Sequence, residues 1–160
     1  MYTMKGVEYA MNRALTLKWH SIYGQILFDR KLKAAWDKVE ANGGSGGIDG
    51  ETIDSYRYNL DENLNSLLQK LRRKEYKPSP VRRHYIPKKN GKLRPLGIPN
   101  IEDRIVQQAL VDVLQPKFEN GFFHKWSCGY RPNLGAKRVL QIIMANIEQG
   151  YNYIYDADIK

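Results

Sequence analysis

An α+β fold, with helices gathered around one small antiparallel β-hairpin, is the architecture the sequence predicts. Apolar residues recur at helical spacing over most of the chain, two short strand-like runs flank Asn90-Gly91, and Pro and Gly punctuate the elements between them. The 160 residues are 42% hydrophobic and 27% charged, enough for one globular core and too apolar for a disordered tail.

The first forty residues read as two helices. The second carries Leu32, Ala35, Trp36 and Val39 on one stripe, with Asp29 as its N-cap, and stops at Asn42-Gly43. The GGSGG run at residues 43–47 is a loop: no Gly-Lys-Ser/Thr follows it, so it is not a P-loop, and a flexible linker is the bland alternative. Leu60, Leu64, Leu67, Leu68 and Leu71 then make an amphipathic helix whose last turn, Arg72, Arg73 and Lys74, suits the negative end of the helix dipole. Lys77-Pro78-Ser79-Pro80 terminates it. Residues 81–88 and 93–98 flank Asn90-Gly91, the strongest short-range hairpin signal. Asn100 is suited to cap a helix with Glu102 and Asp103 in its first turn and Val106, Leu110, Val113 and Leu114 on its buried face, closed by Pro116. A last helix has Leu140, Ile143, Met144 and Ile147 at helical spacing, stops at Gly150, and hands over to a strand at residues 151–159. A strand cut two residues after a carboxylate leads us to expect a piece of a longer protein.

Composition narrows the function. One cysteine, Cys128, supports neither an internal disulfide nor a cysteine-based zinc cluster, and His20, His84 and His124 are scattered. No segment reaches the roughly 18 apolar residues of a membrane span, and the start of the chain carries no apolar run of signal-peptide length. A soluble protein with no membrane partner is expected, cytoplasmic in a bacterium or organellar, and not secreted. Charge says more. Between Lys70 and Arg94 stand eleven Lys or Arg residues and one acid, Glu75, while the remaining 15 basic and 16 acidic residues nearly cancel. The net charge of +9 thus sits on one stretch of 25 residues, the footprint of a phosphate-binding surface.

Family resemblance enters at four places. GGIDGETI (residues 46–53), YKPSPVRRHYIPKKNGKLRPLGIPNIEDRIVQQAL (76–110), WSCGYRPNLGAKRVL (126–140) and DADIK (156–160) together resemble group II intron-encoded reverse transcriptases, or maturases. The second block is similar to that family over more than thirty consecutive positions. The resemblance implies an N-terminal helical extension at residues 1–42, the fingers at 43–150 and the start of a polymerase palm at 151–160, the last expected strand belonging to the palm. In the first block the glycines would let the backbone turn, and the acid and threonine would fix the following helix.

The same resemblance implies an RNA-directed DNA polymerase. Its partners would be intron RNA, an RNA template with a DNA primer, and an incoming dNTP, and its cofactor Mg2+. An alternative is an RNA-binding maturase module that assists intron splicing, and a weaker one a related retroelement or defence reverse transcriptase without an intron. Lys88 and Arg94 would grip the dNTP triphosphate, Arg94 through its planar fork and Lys88 as a point charge. Arg72, Arg73, Arg82, Arg83, Lys89 and Lys92 would contact nucleic-acid backbone. Arg131, in a block that departs from the family at Asn133-Leu134-Gly135, is open between template-phosphate contact and structural pairing, as is Lys137. Asp158 would be the first catalytic, magnesium-binding palm aspartate, with Ile159 a further metal position and Asp156 in support. Two-metal phosphoryl transfer needs carboxylates from a later family motif that these residues lack, so the chain alone should bind RNA, with slight sequence preference, without polymerising DNA. An unpaired strand edge at residues 151–159 would favour self-association.

Sharing one triphosphate requires Lys88 and Arg94 on one face of the hairpin, where side chains alternate. A two-residue Asn90-Gly91 turn would put them on opposite faces. A three-residue loop, Lys89-Asn90-Gly91, with Gly91 left-handed in a bulge, sets Lys88 opposite Lys92 and Arg94 opposite Ile86, and unites them. We expect that register.

Overall fold

A computed structural model describes residues 19–124, 126–155 and 157. Its elements run α1 (Trp19–Ile26), α2 (Asp29–Asn42), α3 (Ile53–Tyr58), α4 (Leu60–Arg72), β1 (Arg82–Pro87), β2 (Leu93–Ile98), α5 (Ile101–Glu119) and α6 (Ala136–Glu148). The α+β class and the single antiparallel hairpin are as expected.

The core lies where α2 packs on α5, with α1 against α5 and α4 against the α2 side. Leu32, Ala35, Trp36 and Val39 of α2 are all buried, as their spacing requires, and so are Leu64, Leu67, Leu68 and Leu71 of α4. On α5 the buried apolar line is Ile101, Ile105, Val106, Ala109 and Val113, while Leu110 and Leu114 are half-buried at its edge. Trp36 stacks on Tyr56 of α3 with ring centroids 5.1 Å apart, and the Tyr23 hydroxyl donates to the Leu71 carbonyl at 2.7 Å, tying α1 to the end of α4. Gly43 ends α2 at φ +62, its N–H donating to the Glu40 and Val39 carbonyls, a geometry that favours glycine.

Several local expectations are corrected. Phe28, not Asp29, occupies the cap of α2, and Asp29 is the first helical residue, where its charge suits the dipole. The leucine-rich stretch is preceded by a separate short helix, α3, with Asn59 at φ −117 breaking the two apart. Thr52 caps α3 by accepting from Ser55 N at 3.1 Å, and Asp49 accepts from Glu51 N, so the acid and threonine do fix the start of that helix. Helix α4 ends before the Pro-rich run, through Lys74 at φ +60 and main-chain bonds back to Lys70. Pro116 lies inside α5 rather than closing it. Proline sacrifices one helical hydrogen bond there, and the continued turn lets Phe118 pack against Phe122 and Phe123.

The C-terminal part departs most. Helix α6 forms, yet Leu140, Ile143, Met144 and Ile147 remain exposed on it. Residues 151–155 form no strand. A strand is held by a ladder partner, and among the described residues the only sheet is the two-stranded hairpin.

Candidate nucleic-acid interface

The hairpin projects from the helical core, and its base is fixed by buried polar groups. Asp103, 3% exposed in the first turn of α5, accepts from the Tyr76 hydroxyl and from Ser79 N at 3.1 Å, gripping the chain just before β1. Burial, and then this hydrogen bond, push the Tyr76 hydroxyl above its usual pKa range, so it stays a donor at any physiological pH. Just after β2, Asn100 begins α5, but its side chain does not cap the helix. It accepts from Ile48 N at 2.9 Å instead.

That bond, with others, turns the GGSGG run into a fixed strap. Arg104 donates to the Pro99 carbonyl at 3.1 Å, the Gly43 carbonyl at 3.4 Å and the Ser45 carbonyl. Arg82 of β1 donates to Ser45 Oγ at 2.9 Å. A Cβ at Gly47 would collide with Asn100 Oδ1 and come within 2.7 Å of its Cα, so only glycine permits the approach. The flexible-linker alternative is therefore excluded by geometry. Beside the strap, partial burial and then the neighbouring charges of Asp49 and Glu102 raise the Glu51 pKa.

The turn adopts the three-residue register. Pro87 pairs with Leu93 and Ile86 with Arg94, while Lys88 N donates to the Lys92 carbonyl at 2.7 Å and Gly91 N to the Lys88 carbonyl at 3.0 Å. Gly91 sits at φ +77. Asn90 accepts from Lys92 N through its side chain at 3.2 Å, which reinforces the turn. One face of the hairpin consequently presents Arg82, His84, Ile86, Lys88, Lys92, Arg94, Leu96 and Ile98, and the other Arg83, Tyr85, Pro87, Leu93, Pro95 and Gly97. Lys88 and Arg94 share a face, on diagonally adjacent positions roughly 7 Å apart. Lys88, Lys89, Lys92 and Arg94 are all exposed, and none forms an ion pair with a described residue.

The other expected site residues scatter. Arg83 points to the opposite face from Arg82, and Lys89 lies in the turn. Arg72 and Arg73 lie at the end of α4, where Arg72 donates to the Leu27 carbonyl at 3.3 Å. Arg131 is engaged in structural pairing: it meets Glu119 at 2.7 Å, donates to the carbonyls of His124 and Ser127, and its guanidinium lies over the Phe123 ring at 4.9 Å. Lys137 is exposed at the start of α6. Asp156, Asp158 and Ile159 lie outside the described residues. Asp103, Asn100 and Arg104, which aim the hairpin, escaped sequence reading as site residues; the first two were visible only as helix-start signals.

A Cβ at Gly91 meets nothing within 4 Å, so the main cost of Val there is that of a β-branched residue at positive φ, on the order of 1–3 kcal/mol of local strain. Gly91→Val should weaken polyanion binding and lower thermal stability by no more than that strain, because the exposed hairpin tip can yield locally without disturbing the helical core. Side-by-side affinity and melting measurements check both halves.

A basic-faced hairpin mounted on a helical core has the form of a polyanion-binding surface. No family model matches the chain. It is 34% identical to the group II intron-encoded protein LtrA of Lactococcus lactis over 87% of the chain, which is 23% of that protein. It is 33% identical over 82% of the chain to a protein encoded by COX1/OXI3 intron 2 in Saccharomyces cerevisiae, 15% of whose length is covered. Protein YkfC of Escherichia coli is 41% identical over 61% of the chain and 25% of its own length. The chain belongs to the group II intron-encoded proteins, the family its sequence blocks resemble, and spans about a quarter or less of the curated relatives it matches. No described helix is long and apolar enough to cross a membrane.

Proposed function

We propose that the chain is the fingers, with the start of the palm, of an RNA-directed DNA polymerase of the group II intron type. In this reading residues 1–42 are the N-terminal extension, 43–150 the fingers and 151–160 the beginning of the palm. The observation that supports it best is the shared hairpin face of Lys88 and Arg94. A polymerase must hold a triphosphate whose leaving pyrophosphate gains negative charge, and fixed cations on a braced element do this without reorganising. Arg94 supplies a bidentate fork and Lys88 a mobile point charge, while Lys92, Lys89, Arg82, Arg83, Arg72 and Arg73 offer positions for template and primer phosphates.

Asp158 and the main-chain oxygen of Ile159 are hard oxygen donors of the kind Mg2+ prefers, and they would hold the ion in the complete protein. The bound ion would supply charge stabilisation for the transferring phosphoryl group. Intron RNA, template, primer and dNTP are the proposed partners. Help with intron splicing fits the same basic surface.

The test is RNA-templated DNA synthesis by the complete protein. Arg94→Ala should raise KM for dNTP about 10- to 100-fold, the worth of a charged hydrogen-bonding contact. Asp158→Asn should abolish synthesis while RNA binding persists. A complete protein that binds RNA but never extends a primer would refute the polymerase reading.

A further inference from the structure

The segment between α5 and α6, residues 120–135, holds an aromatic cluster in which the hairpin has no part. Its frame is braced from within. Phe118 packs edge-on to Phe122 at 5.0 Å and against Phe123 at 5.8 Å, Arg131 lies over Phe123, and Arg131 also clasps Glu119 and two carbonyls of the loop. Buried Cys128 anchors the middle. On this frame His124 and Trp126 stack face to face, centroids 4.8 Å apart and planes within 16°, with Trp126 53% exposed.

Tyr130 is the anomaly. Its ring is fully exposed, at 108% of the reference area, and its backbone is left-handed at φ +55. A bulky residue in that region marks a turn or a functional demand, and a fully exposed ring returns nothing to folding that would select Tyr over Gly or Asn for the turn. The surrounding charge identifies the demand. Residues 120–135 carry Lys125 and Arg131 and no acid, Lys117, Lys137 and Arg138 flank them in sequence, and the nearest acid in sequence, Glu119, is paired with Arg131. Flat aromatic faces set among cations are the chemistry of base stacking on single-stranded nucleic acid. An aliphatic protein partner would be better served by the stripe on α6, a separate element.

We infer that Tyr130 and the His124–Trp126 stack form a platform on which unpaired bases of a bound RNA strand lie, so that the chain reads bases with this loop and phosphates with its hairpin. The inference rests on the RNA-binding reading above, and a probe pair separates the two: a short single-stranded RNA and an abasic strand with the same number of phosphates. The 160-residue chain should prefer the base-bearing strand by roughly fivefold or more. Tyr130→Gly, which relieves the strained φ and so should not lower the melting temperature, is expected to erase most of that preference and leave abasic-strand affinity unchanged. Tyr130→Phe should retain it, and Trp126→Ala should reduce it. If neither strand binds, the RNA reading itself fails. If both bind equally, or if Tyr130→Gly leaves the preference intact, the platform is overturned while the phosphate-binding hairpin stands. Loss of self-association in Tyr130→Gly, with RNA binding unaltered, would assign the surface to a second copy and overturn it equally.

Discussion

Trp36→Ala is expected to cost about 3–5 kcal/mol of folding stability, the range for removing a buried indole that its surroundings cannot refill. Trp36 is 1% exposed and lies in the core that α2, α3 and α5 share, stacked on Tyr56. The loss should appear in urea unfolding as a lower midpoint, since the cavity opens in the core rather than at its rim. Tyr56 supplies the contrast. Its hydroxyl is buried with no hydrogen-bond partner among the described residues, so Tyr56→Phe keeps the stack and removes an uncompensated polar atom. That variant should be neutral or slightly stabilising. A Tyr56→Phe protein that loses as much as Trp36→Ala would show that the hydroxyl has an energetic role in the core.

Reversing four arginines, Arg72, Arg73, Arg82 and Arg83, to glutamate is expected to lower affinity for single-stranded RNA by about a hundred- to a thousandfold at roughly 0.1 M salt. Each neutralised phosphate adds about 0.7 to the slope of log affinity against log salt, so at that concentration each one given up removes about 0.7 log units. Their side chains are exposed, and the bonds they make, from Arg72 to the Leu27 carbonyl and from Arg82 to Ser45 Oγ, are replaceable by water. Stability should therefore change far less than binding. Filter binding together with thermal melting separates the two effects, and unchanged affinity would sink the assignment of these residues.

The helices and the hairpin were legible in the sequence because local signals carry them. Leu32, Ala35, Trp36 and Val39 recur at helical spacing, Gly43 stops α2, and the demand that Lys88 and Arg94 share a face selected the three-residue turn over the two-residue one. What stayed hidden depends on residues distant in sequence. Nothing near residues 43–47 announces that Arg104, sixty-one residues after Gly43, will hold that loop rigid, or that Gly47 must admit Asn100. Asn100 has the composition of a helix cap, yet its carboxamide serves Ile48. The strand expected at residues 151–159 fails in its described part for the same reason: propensity proposes a strand, but a ladder partner makes one.

The measurement that bears most directly on the phosphate-binding hairpin is the salt dependence of single-stranded RNA affinity for the native chain and for Lys88→Ala/Lys92→Ala/Arg94→Ala. These three cations lie on one face of an exposed hairpin, so their removal should leave the fold intact. If they neutralise phosphate, the slope of log affinity against log salt becomes shallower by about 2, at roughly 0.7 for each phosphate no longer neutralised. Two parallel lines, with the variant binding as tightly as the native chain, would contradict it.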